Sequence, residues 1–117
     1  MTEESVFLIT EAWAIPGTFE KFKVYRQAIT TALAQYRPDY VFHNHAFEWV
    51  ENSNDEELPV GMEVVRFDNI ELARSALAAV STNQLKLMEK EVFKKVRCYL
   101  SRYAPPEWLA NEIYSKE

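Results

Sequence analysis

Polar and apolar positions alternate over residues 6–15, VFLITEAWAI, which predicts a strand. Phe7, Ile9, Glu11 and Trp13 fall on one side of it, and Val6, Leu8, Thr10 and Ala12 on the other. Pro16-Gly17 breaks the strand, and Thr18 is set to cap a helix. Phe22, Tyr25, Ile29, Ala32, Leu33 and Tyr36 then recur at three- and four-residue spacing, one apolar stripe ended by Pro38. A second alternating run, residues 40–50, places Val41, His43, His45, Phe47 and Trp49 on one face. The polar, acidic segment 52–59 reads as a hairpin loop before a third strand, residues 60–67. Asp68 with Glu71 resembles a capping box. Ile70, Ala73, Leu77 and Val80 form the stripe of a second helix, and Ser81-Thr82-Asn83 interrupts it before a further helical piece. Residues 96–103 read as the fourth strand, Pro105-Pro106 ends it, and residues 107–114 are expected to form a short terminal helix.

The resulting order is β-α-β-β-α-β. Crossovers between parallel strands are right-handed in nearly all cases, so both helical segments should cover one face of a four-stranded antiparallel sheet. This is an α+β fold of the ferredoxin-like kind. One domain over residues 1–117 is expected, with its core in 5–103 and a helical tail in 105–117.

The more uniformly apolar face should lie under the helices: Val6, Leu8, Ala12, Phe42, Ala46, Val60, Met62, Val64, Cys98 and Leu100. The opposite face would then carry Phe7, Ile9, Glu11, Trp13, His43, His45, Phe47, Trp49, Glu63, Val65, Phe67, Arg97, Tyr99 and Tyr103. No helix of the same chain remains to cover it. An exposed aromatic patch of that extent predicts a homodimer packed sheet to sheet. The segment after Pro106, with Trp108, Leu109, Ile113 and Tyr114, is available to cover part of it or to clasp the partner.

The strand order, with the stretch FDNIELARSALAAVSTNQLKLMEKEVFKKV, resembles the dimeric α/β-barrel superfamily of small ferredoxin-like proteins over residues 5 to about 103. An aromatic residue and Asp lead there into an "ELAR"-like helix, followed by a Ser-capped helix. The stretch is similar to the second helical half of antibiotic-biosynthesis-type monooxygenase domains and of small uncharacterised barrel families. The resemblance implies the fold and self-association, and a range of activities: cofactor-independent oxygenation, isomerisation, or haem binding and degradation. No catalytic motif of the family matches residue by residue.

The candidate chemistry lies at the two histidines. Same-face neighbours on a strand are about 6.5–7 Å apart at Cα, so His43 and His45 could converge on one ligand. With Glu11 or Glu63 they would form a two-histidine, one-carboxylate set, although spacing alone does not establish a metal site. In a second reading, one histidine is a general base or a hydrogen-bond donor in a pocket, with a pKa near neutrality. In a third, both are satisfied polar groups at the dimer seam or the strand edge. Glu11 is either a proton-exchanging carboxylate in an aromatic surround or the partner of Arg97 across the sheet. Phe7, Trp13, Phe47, Trp49, Glu63, Phe67, Arg97, Tyr99 and Tyr103 are the candidate lining of a site for a small apolar molecule, and aromatic stripes are also common interface material. Cys98 is expected to be buried as a small hydrophobe.

Composition narrows the partners. Hydrophobic residues are 48% and aromatics 14% of 117 residues, enough for a folded core. A formal net charge of -5 argues against nucleic acid or an anionic membrane. One cysteine excludes an internal disulfide and fits a reducing compartment. With no signal-peptide pattern and no long apolar run, a cytoplasmic protein is expected. There is no phosphate loop, dinucleotide fingerprint or zinc-type cysteine pattern, so no cofactor and no metal is assigned. Three functions stand open: a cofactor-independent oxygenase or isomerase, a non-catalytic ligand-binding or structural dimer, and a haem or metal protein.

Overall fold

The computed structural model describes residues 4–45, 47–52 and 54–102. Its elements are β1 (Val6–Ala14), α1 (Phe19–Leu33) continued by a 3-10 turn (Ala34–Tyr36), β2 (Asp39–Asn44), β3 (Gly61–Phe67), α2 (Ile70–Val80), α3 (Asn83–Val92) and β4 (Phe93–Arg102). They form one four-stranded sheet in the order β2-β3-β1-β4, antiparallel throughout. This is the ferredoxin-like arrangement expected from the sequence. Tyr103 and the terminal segment 107–114 lie outside the described residues, as does Ala46.

The turns follow their residue chemistry with two adjustments. Gly17 adopts φ 81°, a left-handed conformation that a side chain would strain, and so lets the chain reverse between β1 and α1. Thr18 stands at the start of α1 without capping it. Its hydroxyl instead donates to the Ile15 carbonyl at 2.7 Å. The cap of α2 is Asn69 rather than Asp68. The Asn69 Oδ1 accepts the Leu72 N–H at 2.9 Å, while Asp68 pairs with Arg66 at 3.3 Å. Thr82 caps α3 through the Leu85 N–H, as the Ser-Thr-Asn interruption implied.

The core fills only one half of the helix-facing side. Val6, Leu8, Val65 and Phe67 from the sheet pack on Leu33, Ala73 and Ala76 from the helices. Val65 and Phe67 belong here because β3 pairs with β1 in the register Val6↔Phe67 and Leu8↔Val65, which puts each pair on one face. The expected assignment of β3 is therefore reversed. Phe67, Val65 and Glu63 lie under the helices, and Met62, Val64 and Arg66 on the open side. A one-residue change in pairing exchanges the faces of a whole strand, and the loop before β3 is too long to set that pairing.

β2 reverses with β3. His43 pairs with Glu63 and Phe42 with Val64, so His43 turns toward the helices and Phe42 away. A register shift between Tyr40 and Phe42 leaves Val41 as the extra residue. The strand ends at Asn44, so Phe47 and Trp49 are not part of it, and Trp49 is 43% exposed. β1 and β4 keep their expected faces: Phe7, Ile9, Glu11, Trp13, Arg97 and Tyr99 on the open side, and Cys98 and Leu100 beneath the helices.

Candidate active site

The other half of the helix-facing side is a cavity of about 460 Å³. Its origin is in the sequence of the strands. Leu8, Thr10, Ala12 and Ala14 share one face of β1 and diminish in size toward the chain reversal. Ala12 stands opposite Gly61 on β3 and Val96 on β4, and Thr10 opposite Glu63 and Cys98. The sheet floor is thus made of small side chains, while α1 spans it with Phe22, Tyr25 and Ile29. Strand and helix spacing are fixed by backbone packing, so missing side-chain volume becomes open space. Phe93 closes one side, edge-on to Phe22 at 6.0 Å and to Tyr25 at 5.9 Å between ring centroids.

Polar groups stand at two places along this mainly apolar wall. The first is at the β2 edge. The rings of His43 and His45 are 4.3 Å apart, tilted at 46°. His45 rests on bare backbone. A Cβ on Gly61 would lie 3.5 Å from the His45 Nδ1. His43 Nδ1 is 3.8 Å from Glu63 Oε2, beyond hydrogen-bond reach. The same oxygen is enclosed and ion-paired with the Arg26 guanidinium from α1. Arg26 also lies over the Tyr40 ring, 5.6 Å from its centroid. Burial lowers the His43 pKa below its ordinary 6.5. Arg26 and His45 push the same way, and the Glu63 charge opposes them. His43 is therefore mostly neutral at neutral pH and able to accept a proton.

The second place is formed by α1, α3 and β4. Tyr25 donates its hydroxyl to Glu89 Oε2 at 3.1 Å, and Lys86 Nζ lies 3.4 Å from the same oxygen. Burial, then the Glu89 charge and hydrogen bond, raise the Tyr25 pKa well above the ordinary phenol value, so it remains a donor. Cys98, expected to be buried, is instead exposed where it lines the cavity, 3.5 Å from Thr10 Oγ1, because the small side chains around it leave that part of the floor open. Burial of the sulfur raises the thiol pKa above 9.0, which keeps it protonated.

The residues expected on one face are divided between two. His43, His45 and Glu63 meet in the cavity. Glu11 lies on the opposite side of the sheet, paired with Arg97 at 2.9 Å. Trp13 is also on that side and is 4% exposed. Its indole N–H donates to the Glu57 carbonyl of the 52–59 loop at 2.9 Å, and Lys95 lies over its ring at 4.5 Å. Phe67 is core, and Phe7 and Tyr99 belong to the open face. Arg26, Lys86 and Glu89 went unnoticed in the sequence because each sits on a helix beside an apolar stripe, and Tyr25 was read only as a member of that stripe. The run of shrinking residues Thr10, Ala12 and Ala14 was the available signal for the cavity. Among the described residues no group of three or more His, Cys, Asp or Glu side chains is placed to hold a metal ion. None of the described helices is long and apolar enough to cross a membrane.

No protein-family model matches the chain, and no curated protein matches it in sequence. Solved structures do match in fold. A protein of unknown function from Rhodopseudomonas palustris, crystallised in methylated form, has a TM-score of 0.68 at 9% identity, over 89% of this chain and 84% of that one. SnoaB, a cofactor-independent oxygenase from Streptomyces nogalater, has a TM-score of 0.56 at 15% identity, over 88% and 98%. A NIPSNAP-like domain protein from Burkholderia xenovorans has a TM-score of 0.52 at 8% identity, over 87% and 90%. At these identities the likeness is one of fold.

Proposed function

We propose that the protein binds a small apolar, aromatic molecule in the cavity between sheet and helices, and that His43 abstracts a proton from it to begin a cofactor-independent oxygenation or isomerisation. The observation that carries this reading is the small-residue floor beneath α1, with a mostly neutral imidazole at one end of the opening. The fold is shared with an oxygenase that needs no cofactor, and that likeness agrees with the reading. His45, held against Gly61, supports the His43 ring and completes the polar edge. This reading gives Glu11 no part in the chemistry, supported by its pairing with Arg97 on the other side of the sheet.

The same proposal includes a homodimer through the open face. Ile9, Phe42 and Tyr99 form an apolar area there, with Phe42 and Tyr99 exposed, and beside it stand charges already paired within the chain: Glu11 with Arg97, and Arg66 with Asp39 and Asp68. Charges paired beforehand lose less on being covered than lone ones do.

The test is turnover of hydroxylated aromatic compounds in air, followed by oxygen uptake and product mass, for the wild type and for His43→Ala and His45→Ala. Loss of turnover in His43→Ala with retained binding supports the base. Wild-type rates in both variants remove the histidines from the chemistry. A second reading, binding without catalysis, is favoured by the 3.8 Å gap between His43 and Glu63, which leaves the imidazole without a close carboxylate to orient it. It predicts saturable binding with no product.

A further inference from the structure

The described cavity lining contains four formally charged side chains, Arg26, Glu63, Lys86 and Glu89. They fall into two pairs of opposite sign. Glu63 meets Arg26, and Glu89 meets Lys86 while also accepting the Tyr25 hydroxyl. Of the two histidines at the edge, His43 is held by burial toward its uncharged form. An anionic or cationic ligand entering this space would leave water without finding an unpaired countercharge. A neutral ligand loses nothing of the kind. Glu63 is the residue on which this balance turns. Its side chain is 14% exposed, against 31% for Arg26, so its carboxylate is the more enclosed member of the pair, and both side chains line the cavity.

We infer that Glu63 is a specificity-determining residue: by neutralising Arg26 it makes the cavity select uncharged apolar ligands and reject carboxylates of the same shape. The inference rests on the cavity being the ligand site. It concerns the electrical class of the ligand, whatever reaction follows.

The experiment uses three naphthalene probes substituted at one position with hydroxymethyl, carboxylate or aminomethyl, titrated calorimetrically into the full chain at about pH 8, above the ordinary histidine range. The wild type should bind the alcohol at least about tenfold more tightly than either ion, a factor set by one uncompensated charge in a partly screened site. Glu63→Gln frees the guanidinium and should tighten carboxylate binding about tenfold relative to the alcohol. Arg26→Gln frees the carboxylate and should shift preference to the ammonium probe instead. The double variant should return to preferring the alcohol. Thermal melting establishes that each variant is folded, and each single variant tests the charge the other removes. Equal binding of carboxylate and alcohol by the wild type overturns the inference whether or not the variants fold. So does a folded Glu63→Gln that gains nothing for the carboxylate. Failure of all three probes to bind the wild type overturns the cavity reading itself, and this inference with it.

Discussion

His43 Nδ1 faces the Glu63 carboxylate at 3.8 Å, close enough to sense its charge and too far for a hydrogen bond. Desolvation therefore prevails over attraction, and the folded His43 pKa lies below 6.5. The consequence for stability has a definite sign. As pH falls through 6.5 the unfolded chain takes up a proton that the folded chain does not, and the fold loses stability until the folded pKa is passed. The imidazole is partly exposed, so the effect is modest. His43→Gln should flatten the acid side of the stability curve below pH 6.5, measured by chemical denaturation across pH. An unchanged curve would show that His43 titrates as it does in the unfolded chain.

Ala12→Leu should close the cavity without disturbing the sheet. The added side chain extends into the cavity that Ala12 lines, on the Val96 side, away from the His45 ring that covers Gly61. Apolar-dye binding should be lost while stability changes by no more than about 1 kcal/mol, since filling a void adds burial at little cost in strain. Retained dye binding in a folded variant would locate the dye elsewhere.

Cys98 should alkylate slowly. Its thiol pKa is raised above 9.0, so the thiolate is scarce at neutral pH and the rate with iodoacetamide should keep climbing past pH 9.0. A cavity ligand should slow it further, because the sulfur faces the same space. Mass spectrometry of the single modified site provides the measurement. Fast labelling at neutral pH, unaffected by ligand, would place the sulfur outside the cavity.

Tyr99→Glu should break the proposed dimer and leave ligand binding intact. Tyr99 is 47% exposed on the open face, opposite Ile9 and a sheet thickness away from the histidines. Light scattering should move toward 13.7 kDa, and the melting temperature should lose its dependence on protein concentration. A wild type that is already monomeric at micromolar concentration would remove the dimer.

The strand order, the helices and the faces of β1 and β4 were legible because alternation and spacing report local geometry. The faces of β2 and β3 were not. Alternation fixes which residues share a face and leaves open which face it is. His43, Glu63 and Val65 do share one, as their spacing implied, but it lies under the helices because Phe67 and Val65 complete the core against Val6 and Leu8. Sending the apolar Met62 and Val64 inward would have been the simpler choice. It fails because Arg26 on α1 supplies the partner that makes a carboxylate acceptable there, and a pairing between α1 and β3 leaves no mark in either segment. Trp13 misleads in the opposite sense. An aromatic on the open face is buried without any helix, by the 52–59 loop and two cations of β4.

The floor of Thr10, Ala12 and Gly61 has an evolutionary consequence. The ladder of hydrogen bonds beneath these residues does not depend on what they carry, and the helices above take their positions from the packed half of the sheet. Cavity depth can therefore change in single-methylene steps, one codon at a time, with neither layer having to move. A lineage built on this chain could exchange one ligand for a larger or smaller one while the pairing of the strands stays as it was.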